Sequence, residues 1–165
     1  MNRQTLLTAY DRLDMAITRI LARIGVPAVR MALGVVFLWF GALKLVPGLS
    51  PAEDLAARTI ETLSGGVIGA STSVPVLAIW ESLIGLGLLS GKFLRATLFL
   101  LAVQMIGTLT PLFLFPSETF THFPYAPTLE GQYIIKNVVL IAAAMVVGAT
   151  VRGGRIEPEP AHGAG

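Results

Sequence analysis

Long apolar runs dominate the chain, and polar positions are concentrated between them. Four runs are each long enough to cross a bilayer as a helix, at residues 26–46, 74–89, 96–115 and 131–151. A helix needs about 20 mostly apolar residues to cross about 30 Å of hydrocarbon, and the second run is the shortest. The pattern predicts an all-α fold, an integral membrane four-helix bundle spanning 26–151.

Two further helices are predicted outside the spans. Residues 1–25 form an amphipathic pattern, because apolar residues recur at steps of three and four. These apolar residues are Leu6, Tyr10, Leu13, Ile17, Ile20 and Ile24. We expect this helix to lie on the cytoplasmic membrane surface, and packing back onto the bundle is the alternative. Ser50, Pro51 and Glu53 form a helix-start signal, which predicts a short outer-face helix over the mouth of the bundle.

Composition agrees with a membrane protein. Charged residues make up 13% of the 165 residues, against about 25% in ordinary soluble domains. The chain has no cysteine and two histidines, so we predict no disulfide, no thiol nucleophile and no metal site. The net charge of +2 is spread over several segments, so the predicted partner is the lipid bilayer and not a nucleic acid.

Lysine and arginine are concentrated in three of the five segments outside the spans. These segments are the N-terminal region, the turn after the second span and the C-terminal tail at 152–165. Their cations are Arg3, Arg12, Arg19, Arg23, Arg30, Lys92, Arg95, Arg152 and Arg155. The loops at 47–73 and 116–130 hold only Arg58. The positive-inside rule therefore predicts that both termini are cytoplasmic and both long loops lie outside. The Pro-, Gly- and Ala-rich tail is predicted to be disordered.

Three ionisable residues, Lys44, Glu81 and Lys136, lie within the spans or at their ends. An unpaired charge in a bilayer costs at least about 2.5 kcal/mol, so such residues mark a candidate site. Lys44 is near the outer end of its span, Glu81 is about 10 Å deep and Lys136 about 8 Å deep. We therefore predict an outer-leaflet cluster, to which Gln104 and Asn137 add hydrogen bonds.

Each member of this cluster also has a structural interpretation. Lys44 and Lys136 are able to reach outward to the headgroups. Glu81 can have a purely structural role, as one half of an ion pair that fixes helix order. Gln104 and Asn137 are typical of hydrogen bonds between membrane helices. The sequence contains no Ser-His-Asp set, and we predict no catalytic residue.

Three motifs resemble the DoxX-like family of small four-span inner-membrane proteins. The first span begins with Arg30 and ends in Gly41-Ala-Leu-Lys44. In the second, Glu81 precedes a glycine-leucine run, and the last span carries Lys136 beside Asn137, where the family often has Lys-Asp. The resemblance is strongest to the branch linked with resistance to reactive chlorine.

The resemblance implies a bacterial inner-membrane protein associated with redox or oxidative-stress metabolism. Some members are subunits of a thiosulfate:quinone oxidoreductase, so the implied cofactor is a bound quinone and the implied partner a redox protein. Because the chain lacks cysteine and cofactor ligands, we expect a membrane anchor or a quinone- or lipid-binding partner, not an enzyme on its own. A small transporter or channel switched by Glu81, a purely structural bundle and a homo-oligomer stay open.

Overall fold

The computed structural model describes residues 3–46, 48–50 and 53–157, and these residues are mostly helical. The elements are α1 (Arg3–Leu43), α2 (Glu53–Leu63), α3 (Ala70–Ser90), α4 (Leu94–Leu109), α5 (Pro111–Leu114), α6 (Pro116–Thr119), β1 (Phe120–His122), β2 (Ala126–Pro127), α7 (Leu129–Ile135) and α8 (Asn137–Ala149). Four helical segments are long and apolar enough to cross a membrane: α1, α3, α4 with α5, and α7 with α8. The chain therefore has the helices of a multi-pass membrane protein.

The predicted spans match these segments, with differences at their ends. α3 begins at Ala70, four residues before the predicted start, and α4 gives way to α5 at Pro111, which has no N–H to continue the helix. α1 runs through Pro27 without a break, so residues 3–25 are continuous with the first span. The orientation of the bundle in a membrane, and the position of residues 3–25 relative to it, stay predictions.

The antiparallel pair of α1 and α3 is the most closely packed part of the bundle. A methyl group on Gly85 would lie 2.5 Å from the backbone nitrogen of Leu38, and one on Gly41 would lie 2.7 Å from that of Ser82. Glycine allows two helix backbones to approach closely in this way. Gly34, one turn before Leu38, likewise faces Leu89. Gly34 and Gly41 thus both lie in the contact between α1 and α3.

The hydrophobic core lies where α1 and α3 meet α4 and α8. Its buried residues are Leu33, Phe37, Ile84, Leu88, Leu101, Met105 and Val147. At the end of α3, Arg30 donates from Nη1 to the carbonyl oxygen of Leu88 at 2.9 Å. A cation here complements the helix C-terminus and satisfies a carbonyl that the helix leaves without a partner. We call this end of the bundle, where α3 turns into α4, the turn end.

The opposite end of the bundle is covered by α2, and we call it the α2 end. Leu55, Ala57 and Thr59 of α2 are buried, and the helix packs on α3, α4 and α5. A two-stranded antiparallel hairpin, β1 with β2, follows α6 at this end. The structure thus contains the predicted short helix, while Pro51 of its start signal and residues 158–165 of the predicted disordered tail lie outside the described residues.

Gly85→Ala is expected to destabilise the protein by about 1–3 kcal/mol, because the new methyl group meets backbone atoms of α1 that cannot rotate away. Gly107→Ala is the matched control, since Gly107 lies in α4 with no such neighbour within 4 Å. Thermal unfolding of the detergent-purified variants, followed by size-exclusion chromatography, measures the difference. Equal stability of the two variants would show that α1 and α3 are less closely packed than described.

Candidate functional site

An ion pair joins α1 and α3 near the α2 end. Lys44, in the turn after α1, lies with its Nζ 2.7 Å from Oε2 of Glu81 in the middle of α3. The two side chains are only 12% and 11% exposed. Lys44 also donates to the carbonyl oxygen of Phe40 at 3.5 Å. The pair therefore neutralises both charges at a level where the surrounding helices are apolar.

Gln104 adds a third helix to this ion pair. Its side chain on α4 donates from Nε2 to Oε1 of Glu81 at 3.0 Å. Each carboxylate oxygen of Glu81 thus accepts from a different helix, which satisfies a buried charge as the interior requires. We call Lys44, Glu81 and Gln104 the carboxylate network. The structure brings these three predicted residues together.

Lys136 lies outside the carboxylate network, so the predicted three-charge cluster is corrected. Its side chain is exposed, with Nζ 5.4 Å from the ring centre of Tyr133, and within the described residues no carboxylate lies at ion-pair distance. Lys136 occupies the junction of α7 and α8, and its neighbour Asn137 lies about 100° further around the axis. Asn137 is the residue that faces inward, and it donates to the carbonyl oxygen of Tyr133 at 3.2 Å.

A cavity of about 610 Å³ adjoins the carboxylate network. The wall of the cavity includes Lys44, Glu81, Gln104 and Asn137 and several hydroxyl side chains, and most of the rest of it is apolar. The volume lies within the range of small-molecule sites, about 300–1,000 Å³, and an apolar wall with a few convergent polar groups is typical of them. The candidate functional site is this cavity together with the network.

Trp80 and α2 complete the wall of the cavity. The indole of Trp80 is held by α4, because its Nε1 donates to the carbonyl oxygen of Leu100 at 3.2 Å. From α2, Leu55, Thr59 and Ile60 cover the cavity at its α2 end. The helix-start signal at Ser50, Pro51 and Glu53 is the one indication of this cover in the sequence. Nothing in the sequence indicates that the helix covers a cavity.

A second ion pair fastens α2 in place. Arg58 donates from Nη1 to Oε1 of Glu118 on α6 at 2.8 Å, and its second terminal nitrogen donates to Oε2 of the same carboxylate. The guanidinium also lies 5.4 Å from the ring centre of Phe115, a cation–π contact. Hydrogen bonding to Arg58 lowers the pKa of Glu118 below its usual range, and the same bond raises the pKa of Arg58. We call this pair the α2 clasp.

A polar depression of about 700 Å³ lies beside the α2 clasp. It is lined by acidic side chains of Glu53, Asp54, Glu118 and Glu130 together with Arg58. Within the part of the chain that the structure describes, no group of three or more His, Cys, Asp and Glu side chains is arranged to hold a metal ion. This acidic depression lies outside the candidate site.

No known protein family, curated protein or solved structure matches this chain. The resemblance to the DoxX-like family therefore stays a prediction, which rests on the motifs around Lys44, Glu81 and Lys136. Two of these residues meet in the ion pair, and the third faces away from it. The cavity and the carboxylate network are consequently the features from which a function is inferred.

Glu81→Gln is expected to lower the free energy of unfolding by about 3 kcal/mol, because it leaves the ammonium group of Lys44 buried without its counter-charge. Adding Lys44→Met to Glu81→Gln should recover most of that loss, since both charges are then gone. Lys136→Met is the control and should change little, because its exposed ammonium group has no carboxylate partner among the residues that the structure describes. Thermal unfolding in detergent compares the four proteins, and a loss in Lys136→Met as large as in Glu81→Gln would place Lys136 in the network after all.

The α2 clasp is expected to weaken in acid. Since the pKa of folded Glu118 is lowered, its stabilising effect is present above the ordinary glutamate value of about 4.3 and is lost as the pH falls through the lowered pKa. Hydrogen-exchange protection factors for the amides of α2, which correct for the intrinsic exchange rate, should fall over that range. In Glu118→Gln they should be low already at neutral pH and change little with acid. Glu61→Gln, an exposed change on α2 itself, is the control, and a Glu118→Gln protein that behaves like it would exclude the clasp.

Proposed function

We propose that this chain is a membrane-embedded binding protein for an amphiphilic small molecule of the isoprenoid-quinone type, acting as the anchor or binding partner of a redox protein. One observation carries the proposal: a mostly apolar cavity of about 610 Å³ ends at the carboxylate network. An apolar tail suits the wall, and a polar head group suits the network. The quinone class and the redox partner come from the DoxX-like resemblance.

The network has hydrogen-bond donors left for a ligand. Lys44 has three N–H groups, of which one donates to Glu81 and one to the carbonyl of Phe40. The amide of Gln104 has two, of which one donates to Glu81. Among the described residues, one N–H group of each side chain thus has no acceptor, and both side chains line the cavity. A carbonyl oxygen on a ligand head group is an acceptor that such donors fit.

The lining of the cavity supports entry from the bilayer. Val76 of α3 and Val103 of α4 both line the cavity and are 54% and 41% exposed. Phe40 of α1 shares this property, with 47% exposure. Lining residues that are exposed and apolar indicate an opening between helices that faces lipid. A hydrophobic molecule dissolved in the membrane is therefore the kind of ligand that this opening admits.

Mass spectrometry of organic extracts tests the proposal on the detergent-purified protein. The wild type and Lys44→Met/Glu81→Gln are compared, because the double variant removes the charged network while keeping the fold. We expect the wild type to retain a quinone near one molecule per chain and the double variant to lose most of it. Lys136→Met, changed outside the network, is expected to retain the ligand as the wild type does.

The same extracts separate the alternatives. Only bulk lipid in every sample would contradict the proposal and leave a transporter or a structural bundle. Retention of the quinone by the double variant would place the binding site outside the network. The transporter is then tested by pH-dependent flux in vesicles, where it requires Glu81→Gln to fold and lose flux.

A further inference from the structure

α1 extends far beyond the other spans at the turn end. Arg30 lies level with the end of α3, to which it donates a hydrogen bond, and α3 ends at Ser90. Gly25 has no atom of another element within 4 Å of its Cβ position, and residues 10–24 contain no buried side chain. The segment 3–25 therefore projects about 35 Å from the bundle, at 1.5 Å per residue.

A regular row of apolar residues runs along this projecting segment. Its members are Leu6, Tyr10, Leu13, Ile17, Ile20 and Ile24, separated by steps of four, three, four, three and four residues. We call this row the N-terminal seam. Its five members from Tyr10 onward are 47–68% exposed. The step averages 3.5 residues from Tyr10 to Ile24, and the whole row spans nearly three heptads. Alternating steps of three and four residues are the pattern of a coiled coil, whose partner helix covers both alternating positions.

We propose that the N-terminal seam binds the same seam of a second copy of this chain, as a parallel two-stranded coiled coil. The segment is continuous with a membrane span, so two copies inserted in the same direction project their seams in the same direction. A shared membrane also raises the effective concentration of one seam near the other, which favours a coiled coil of only three heptads. The proposal is independent of the ligand in the cavity.

The residues flanking the seam fit this parallel pairing. With Tyr10 at heptad position a, Asp14 and Leu21 occupy e positions, while Ala16 and Arg23 occupy g positions. In a parallel dimer each g residue meets the e residue five positions later in the other chain. Ala16 thus meets Leu21 of the second copy, which widens the apolar contact. No pair of like charges is brought together across this part of the seam.

A membrane surface is the other candidate partner for an amphipathic helix, and the shape of α1 disfavours it. To lie along the surface, the segment would have to turn through about a right angle from the span that follows it, and this breaks several backbone hydrogen bonds. The helix described from Arg3 to Leu43 has no such break. Pro27 removes only one backbone donor, which bends a helix without ending it. A continuous helix that projects from the bundle presents the seam to another protein chain.

Disulfide cross-linking in native membranes tests the proposal, because the chain has no cysteine of its own. Single cysteines are placed in the full chain at Leu13, Ile17 and Ile20 on the seam, and at Thr18 and Arg19 on the outer positions b and c. After mild oxidation, the linked dimer is measured on a denaturing gel. We expect several-fold more dimer from the seam positions than from Thr18→Cys or Arg19→Cys, although the outer positions lie only one or two residues away.

Three outcomes would overturn the proposal. Equal amounts of dimer at all five positions would indicate random collision, and no dimer at any position in well-expressed protein would exclude the contact.

Nitroxide labels at Ile17 and Thr18 provide the second measurement. In a coiled coil the label at 17 is close to its counterpart in the other chain and the label at 18 is more distant. A label at 17 that is accessible to lipid-soluble oxygen and shows no such neighbour would assign the seam to the membrane surface.

Discussion

A carboxylate inside an apolar bundle must have both a counter-charge and hydrogen-bond donors, and this requirement organises the centre of the molecule. Glu81 meets it with one donor from each of two neighbouring helices, Lys44 and Gln104. The close glycine contacts between α1 and α3 make the ion pair reachable, because Gly41 packs on Ser82, the residue next to Glu81. Backbone packing and charge neutralisation therefore specify the same alignment of α1 against α3.

The two ends of the bundle differ because of this alignment. At the turn end, four helices close around the core that includes Leu88 and Leu101, and Arg30 covers the end of α3. At the α2 end the helices leave a cavity, which α2 covers and the clasp from Arg58 to Glu118 fastens. The carboxylate network lies on the border between the packed and the open region. It thus belongs both to the scaffold and to the wall of the candidate site.

Much of this arrangement could be predicted from the sequence, and the features that could not be predicted share a physical reason. Apolar runs predict the spans, and depth along the helices predicts that Glu81 lies near Lys44. Depth gives height along an axis but not rotation about it, so depth alone predicts both Lys136 and Asn137 in the cluster. Of the two, Asn137 lines the cavity and Lys136 is exposed beside Tyr133. The cavity was not predictable, because segments far apart in the sequence enclose it and no short pattern specifies an empty volume.

Burying the charges of the carboxylate network costs free energy, and this cost helps to distinguish a structural role from a binding role. Replacing a buried ion pair by well-packed apolar residues is often neutral or stabilising, so stability alone is a weak reason for Lys44 and Glu81. Fixing the order of α1 and α3 is a sufficient reason for the pair, and Gln104 satisfies the second oxygen of the carboxylate. The amide of Gln104 also brings a second N–H group to the lining of the cavity, which neither helix order nor the carboxylate requires. A ligand head group that accepts hydrogen bonds would use this N–H group, and on this ground we propose binding in preference to a purely structural bundle.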